Sequence, residues 1–239
     1  MNMIQKLISP LLIFIIAILS FLPAKADGIK GNGNVKEQER EINAFRNIKV
    51  NGAFSIYLTQ SDDYSLKIVA DENLLEIIKT EVMGNILHIS TDKSINKSKE
   101  MSLYIGFKYL DKLKANGAIN LKSNQLLRFD KLEIEINGAS SANLELSANQ
   151  LKINNSGASS IILAGKCELV YIDISGAGSV DASELTAKKG SIDISGVGSA
   201  KVDIEDELRV GISGIGSVKY KGDPKITSDI SFLGSLKKY

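Results

Sequence analysis

One column of polar residues in the second half of the chain could do chemistry. Short phrases built on Ser-Gly or Asn-Gly recur every 18 to 20 residues, and the position three before each glycine holds Glu135, Asn154, Asp173, Asp193 and Gly211. If each phrase marks one turn of a stack, Asp173 and Asp193 lie about 4.8 Å apart, with Glu135 further along. Such carboxylates could bind Ca²⁺, or act as acid and base on a glycan, as in β-helical polysaccharide lyases. The competing interpretation is an inert row of solvent-exposed side chains.

Other residues give weaker indications of chemistry. His88 is the one histidine, and no cysteine lies at ligand spacing from it, so neither a zinc site nor a Ser-His-Asp triad is indicated. Cys167 has no partner and is expected to be a semi-buried thiol or a turn residue. No helix follows the glycine phrases to receive a phosphate, so nucleotide binding is not indicated. We therefore assign no catalytic residue, metal ligand or cofactor from the sequence.

The repeat itself predicts the architecture. Apolar β-branched residues stand four positions before each repeat glycine, and a second alternating segment follows the glycine directly. These apolar residues are Ile134, Ile153, Ile172, Ile192 and Val210. A period of two predicts strands with one buried face, and no helical pattern fits inside a repeat.

A helix-free repeat of 18 to 21 residues has the size of one coil of a β-solenoid. Each repeat glycine is expected at a bend where a Cβ would clash with neighbouring coils or would require positive φ. The predicted structural bend glycines are Gly52, Gly117, Gly138, Gly157, Gly176, Gly196 and Gly214. The Ser or Asn before each glycine should form a hydrogen-bonded ladder along the stack. A leucine-rich-repeat horseshoe is the competing fold, but it needs a convex helix or 3₁₀ segment.

The repeat phrase is absent from a segment near the front, residues 59–113. Residues 64–70, 86–90 and 101–107 alternate like strands, whereas residues 71–79 show helical spacing of apolar residues behind Asp71 as N-cap. We interpret residues 59–113 as an insertion that covers the open end of the stack. A bare terminal coil would expose unpaired backbone groups.

The N-terminal residues 1–26 have the features of a secretory signal peptide. Lys6 precedes an apolar run that ends at Leu22, and Ala24-Lys25-Ala26 forms a cleavage site. The mature chain is then a polar leader, residues 27–41, and one solenoid domain, residues 42–239, with no further apolar span. Its formal charge falls from +1 to −1, so no electrostatic reason to expect nucleic acid remains. A single cysteine excludes a disulfide framework within one chain.

Several motifs together resemble one known family. They are Gly31-x-Gly33 with Arg40 after it, Ala44-Phe45-x-x-Ile48-x-Val50-x-Gly52, Leu87-x-Ile89, the Ser-Gly-Ala-Gly-Ser phrases and Gly222-Asp223-Pro224. This combination is similar to the DUF2807 family, also called the head GIN domain family, over residues 30–239. The resemblance implies an all-β, right-handed parallel β-helix-like solenoid with an elaborated N-terminal cap, in an exported envelope protein. The family's adhesin label derives from fold similarity, and the resemblance brings no active site. The loss of glycine at Phe232 departs from the repeat and should mark the end of the stack.

Three functions are compatible with these features. The first is a non-enzymatic envelope protein whose rigid solenoid surface binds a glycan or an envelope protein, as in adhesion. The second is a polysaccharide lyase or hydrolase that uses the stacked carboxylates. The third is a structural scaffold, which could be a homo-oligomer. In each case we expect export through the inner membrane to a periplasmic, outer-membrane-associated or extracellular location.

Overall fold

The computed structural model describes residues 28–239, and the predicted signal peptide lies outside the described residues. Within that range the chain forms sixteen strands and one 3₁₀ turn, η1 (Glu72–Leu74), and no α-helix. The strands are β1 (Ile29–Lys30), β2 (Val35–Arg40), β3 (Asn47–Gln60), β4 (Ser65–Asp71), β5 (Ile78–Met83), β6 (Ile86–Thr91), β7 (Ile95–Lys97), β8 (Met101–Phe107), β9 (Lys112–Ser123), β10 (Leu127–Asn155), β11 (Ala158–Ile174), β12 (Ala177–Ile194), β13 (Val197–Ile212), β14 (Ile215–Lys221), β15 (Lys225–Ile230) and β16 (Ser235–Lys238).

Parallel pairing stacks these strands into a β-solenoid of about six turns. From β3 the strand order is β9, β10, β11, β12, β13, β14 and β16, and β15 also pairs with β13. The register follows the sequence repeat, because Gly117 pairs with Gly52 on one side and Gly138 on the other. The predicted solenoid is therefore confirmed. The leucine-rich-repeat alternative is wrong, because a second strand follows each bend.

Strict alternation fills the interior with apolar residues. Ile153, Ile172 and Ile192, one per coil, are each at most 1% exposed, and Asp173 points outward between buried Ile172 and Ile174. Fully burying such a side chain is worth about 1.5–3 kcal/mol relative to leaving it exposed. Stacked apolar columns therefore hold successive coils together and leave the outward columns free to vary.

The repeat glycines from Gly117 onward lie where the backbones of successive coils approach each other closely. A Cβ built on Gly157 would lie 2.0 Å from the carbonyl oxygen of Gly138, and one on Gly176 would lie 2.2 Å from that of Gly157. Among the repeat glycines, Gly52 and Gly117 have φ in the left-handed region, at 135° and 124°. At Gly157 and Gly176 it is the space between coils that requires glycine.

A cap covers the N-terminal end of the stack. Beyond β3 the sheet continues through β8, which is parallel to β3, and then through β4 and β2, which pair antiparallel. Strands β5 and β6 form an antiparallel hairpin, in which β6 pairs with β3. Strand β1 pairs with β7. The cap thus supplies partners to backbone groups that a first coil would otherwise expose.

Two parts of the cap differ from the sequence-based expectation. The helix predicted over residues 71–79 is wrong, because η1 ends at Leu74 and β5 begins at Ile78. Asp71 makes no capping hydrogen bond; its carboxylate instead accepts N–H groups from Gly33 and, at 2.7 Å, from Lys99. The segment predicted as a polar leader contains β2, which pairs with β4 and belongs to the cap.

Candidate functional site

The predicted carboxylate column lies on one exposed surface, here called the leading face. This face consists of the outward side chains of the strand segments that run into each repeat glycine. Its central column runs through successive coils as Lys49, Lys114, Glu135, Asn154, Asp173, Asp193, Gly211 and Asp229. The structure therefore stacks the predicted residues as expected and adds Asp229 beyond Gly211.

The N-terminal end of this column is neutralised by lysines. The Glu135 carboxylate is 2.5 Å from the Lys112 Nζ and 2.8 Å from the Lys114 Nζ. Hydrogen bonds from these two ammonium groups hold the pKa of Glu135 below its usual value. Glu133 joins the network at 3.3 Å from Lys112. Glu135 is therefore already paired and is not free to bind a ligand.

The C-terminal end of the column opens into a depression. Gly211 places no side chain between Asp193 and Asp229, and a Cβ built there would lie 2.5 Å from the Asp193 Oδ1. The resulting depression has a volume of about 700 Å³ and is lined by Asp173, Asp193, Arg209 and Asp229, with serines along one side. Three carboxylates and one guanidinium thus face solvent around a site that one missing side chain creates.

A neighbouring column supplies cationic, hydroxyl and aromatic groups. Arg209 is the register partner of Ser191 and Thr227, and Tyr171 is 39% exposed. A second depression, lined in part by Tyr171, Arg209 and Thr227, shares Arg209 and Thr227 with the first. Charged, hydroxyl and phenol groups therefore line these two adjoining depressions.

Arg209 and Tyr171 are functional candidates that the sequence analysis missed. Both occupy the position five residues before a repeat glycine, two before the carboxylate column. Comparing that column across the repeats would have found them, since its members change from Glu133 and Lys152 to Tyr171, Ser191 and Arg209.

The amide and hydroxyl column beside each glycine forms hydrogen bonds along the stack, as predicted. The Asn116 side-chain amide donates to Asn51 at 2.7 Å, and that of Asn137 donates to Asn116 at 2.9 Å. The Ser156 hydroxyl then donates to the Asn137 amide oxygen. These groups satisfy one another and are structural in this part of the stack.

The other candidates of the sequence analysis show no site geometry. His88 lies on β6 between its register partners Lys49 and Glu81. Cys167 is buried, its thiol donates to the Leu169 carbonyl at 2.9 Å, and burial raises its pKa. Within residues 28–239, no group of three His, Cys, Asp or Glu side chains is arranged to hold a metal ion.

The aromatic residues Tyr104, Phe107 and Tyr109 of the insertion at residues 59–113 do not form one surface. Phe107 is fully buried, whereas Tyr104 stacks on Tyr57 with ring centroids 4.8 Å apart. Tyr109 is exposed beside Arg46, whose guanidinium carbon lies 5.4 Å from the ring centroid. The ring face of Tyr104 is therefore occupied by Tyr57 rather than free to stack on a sugar.

Several solved structures are similar to this chain. A putative adhesin from Bacteroides fragilis NCTC 9343 is 25% identical, with a TM-score of 0.85 over 89% of this chain and 100% of that one. A putative adhesin from Parabacteroides distasonis ATCC 8503 is 23% identical, with a TM-score of 0.75 over 89% of this chain and 100% of that one. A putative lipid binding protein from the same organism is 24% identical, with a TM-score of 0.70 over 88% and 99%. A search of curated proteins found no match.

The family comparison covers most of the solenoid and its cap. The matching model is that of DUF2807, described as putative auto-transporter adhesin, head GIN domain, and it matches residues 44–224. No helix in residues 28–239 has the length and apolar character needed to cross a membrane. Because this match covers more than half of the chain and contains all the strict repeat phrases, this chain belongs to the DUF2807 head GIN domain family.

Proposed function

We propose that the protein is exported to the cell envelope and acts there as a non-enzymatic adhesin that binds a glycan through the leading face. The family description and the similar structures named as adhesins support a binding role in the envelope. The signal-peptide features of residues 1–26 support export.

The observation that carries the proposal is the contrast between the two ends of one column. Glu135 is paired with two lysines, whereas within the described chain Asp173, Asp193, Asp229 and Arg209 take part in no ion pair. All four are exposed around the Gly211 depression. Unpaired charged groups that are held on rigid strands can bind a polar ligand with little loss of conformational entropy.

An enzyme acting on polysaccharide is the competing function, but this geometry supports it less well. Glycoside cleavage places two carboxyl groups on either side of the scissile bond, with one kept protonated, commonly by burial. Asp173, Asp193 and Asp229 instead project from the same column of one face, and all three are exposed to water. A column of this kind can contact successive units of a polymer but does not enclose a bond.

A glycan array run beside an eliminative-cleavage absorbance assay tests the proposal. We expect array binding without release of unsaturated product. The variant Asp193→Asn/Arg209→Gln should weaken binding at least about tenfold, because hydrogen bonds to charged groups are lost. The matched control Glu145→Gln, an exposed carboxylate on another face, should bind like the wild type. Turnover of any arrayed glycan would refute the proposal, as would equal loss of binding in both variants.

Protease accessibility on intact cells tests the location. An envelope protein on the cell surface should be cleaved without permeabilising the cells. A periplasmic one should be cleaved only after the outer membrane is opened. Recovery in the cytoplasmic fraction would refute export.

A further inference from the structure

A second exposed surface, here called the trailing face, consists of the outward side chains of the segments that follow each repeat glycine. Its first column is apolar in every coil and its members become larger toward the C-terminal end of the stack. Ala177 is followed by Val197, Ile215 and Leu233, which are 59%, 54% and 60% exposed. Phe232, next to Leu233, is 100% exposed. Large apolar side chains in contiguous exposed positions mark an interaction surface.

A column of lysines runs parallel to this apolar column. Lys201, Lys219 and Lys237 are register partners in three consecutive coils, about 4.8 Å apart. Lys201 pairs with Asp181 at 2.8 Å. Lys219 and Lys237 have no carboxylate within 4.0 Å anywhere in residues 28–239. Like charges opposite each other on adjacent strands are unfavourable, so this pair favours an anionic partner.

Serines lie between the two columns and are register partners from coil to coil, namely Ser199, Ser217 and Ser235. In the last coil Ser235 and Lys237 lie two residues apart on β16, and Leu233 lies in the turn that precedes this strand. The trailing face therefore has an apolar edge and a cationic edge, with small hydroxyl side chains between them.

We propose that the C-terminal part of the trailing face docks on the surface of an anionic lipid bilayer. The lysines would lie among the headgroups, where each basic residue near an anionic surface adds to binding. Phe232, Leu233 and Ile215 would insert into the interfacial layer, as the apolar faces of interfacial helices do. A soluble anionic polymer would use the lysines but leave the apolar column in water. A second copy that docked through the same face would bring its own lysine column to the contact and be repelled.

This proposal is independent of glycan binding, because the leading and trailing faces are formed by different strand segments. The Gly211 depression uses residues before each repeat glycine, and the lipid-docking surface uses residues after it. Either function can therefore fail alone, and a vesicle assay without glycan separates the two.

Vesicle cosedimentation tests the proposal with protein expressed from the full sequence in a Gram-negative host and recovered from the envelope fraction. Vesicles of phosphatidylcholine alone are compared with vesicles that also contain phosphatidylglycerol. We expect binding to the anionic vesicles, weakened by added salt. Lys219→Gln/Lys237→Gln should lower the partition coefficient about thirtyfold, from the usual contribution of two basic residues near such a surface. Phe232→Ser/Leu233→Ser should lower it at least about tenfold.

Matched controls lie on the cap. Met83→Ser removes another exposed apolar side chain, 52% exposed, and Lys36→Gln/Lys93→Gln removes two other exposed lysines. All variants change exposed residues, and unchanged melting curves would show that they are folded. Three results would overturn the proposal: equal binding to both vesicle types, no binding at low salt, and trailing-face variants that bind like the controls. Self-association of the wild type that is lost in Phe232→Ser/Leu233→Ser would also overturn it, since the surface would then bind a second copy.

Discussion

Replacing Gly157 by alanine should destabilise the protein severely, and the structure gives the magnitude. The added Cβ would lie 2.0 Å from the Gly138 carbonyl oxygen and 2.4 Å from the Gly138 nitrogen. Real Cβ contacts are not shorter than 3.0 Å, so the two coils must separate by about 1 Å at this corner. The neighbouring hydrogen bond from Ser156 N to Ile136 O, now 3.0 Å, would then break. Overpacking costs about 1–3 kcal/mol and the lost hydrogen bond about 1 kcal/mol, so we expect the unfolding free energy to fall by about 2–4 kcal/mol.

Urea unfolding followed by far-UV circular dichroism measures this loss, with Gly211→Ala as the matched control. The Cβ added at Gly211 meets only the end of the Asp193 side chain, at 2.5 Å and 3.6 Å. That carboxylate is exposed and can rotate away, so the cost should be below about 1 kcal/mol. If Gly157→Ala unfolds within 1 kcal/mol of Gly211→Ala, the argument that coil spacing requires glycine at the bends is refuted.

Three further predictions concern buried polar groups. Asp71→Asn should lower stability at neutral pH by about 3 kcal/mol. Burial raises the pKa of Asp71, but backbone N–H donors from Lys99, Gly33 and Glu100 outweigh it and hold the pKa below 3.8. Urea titrations should therefore show that the difference in unfolding free energy between the wild type and Asp71→Asn shrinks as the pH falls below 3.8, where the wild-type carboxylate becomes protonated. Asn155→Ala should lower the unfolding free energy by about 1 kcal/mol, because the buried Asn155 Oδ1 accepts the Gly157 N–H at 3.2 Å and that N–H would lose its partner. Cys167 should react with a thiol reagent in urea but not in the native protein, since it is 6% exposed.

The repeated part of the fold could be predicted because its signals are local and periodic. The period of two assigns Ile172 to the interior and Asp173 to the surface without knowledge of any other strand. The glycine steps then give the register, so the stacking of Asp173 on Asp193 follows directly. Each further copy of the phrase repeats the same evidence, which makes the prediction robust to one irregular copy such as that at Phe232.

The cap could not be predicted because distant backbone groups decide it. Asp71 precedes a helical pattern of apolar residues and satisfies the sequence rule for an N-cap. Its carboxylate instead accepts hydrogen bonds from the backbone N–H groups of Gly33 and Lys99, which are 38 and 28 residues away. Leu74 and Ile78 are buried as the pattern required, but a 3₁₀ turn and a strand bury them equally well.

Only part of the candidate site could be predicted, because residues on neighbouring coils decide which carboxylates are paired. Alternation and repeat spacing place Glu135 in the same column as Asp193, but they do not say which carboxylates are already paired. Glu135 is neutralised because Lys112 and Lys114 lie one coil earlier, before the weaker repeat copy at Gly117. The depression depends on a side chain that is missing at Gly211.

In the central column of the leading face, charged side chains of two adjacent early coils form an ion pair and, within residues 28–239, those of the last coils form none. This difference is compatible with the way in which solenoids are stabilised. Each coil contacts only its neighbours, so stability is nearly a sum over adjacent coils. The last coils require glycine at the bend as strictly as the earlier ones, since a Cβ on Gly214 would still lie 2.1 Å from the Gly196 carbonyl oxygen. The buried columns likewise continue through Val210 and Ile212, which are at most 2% exposed. The outward residues of the last coils are therefore not needed to hold the stack together, and they can remain unpaired for binding.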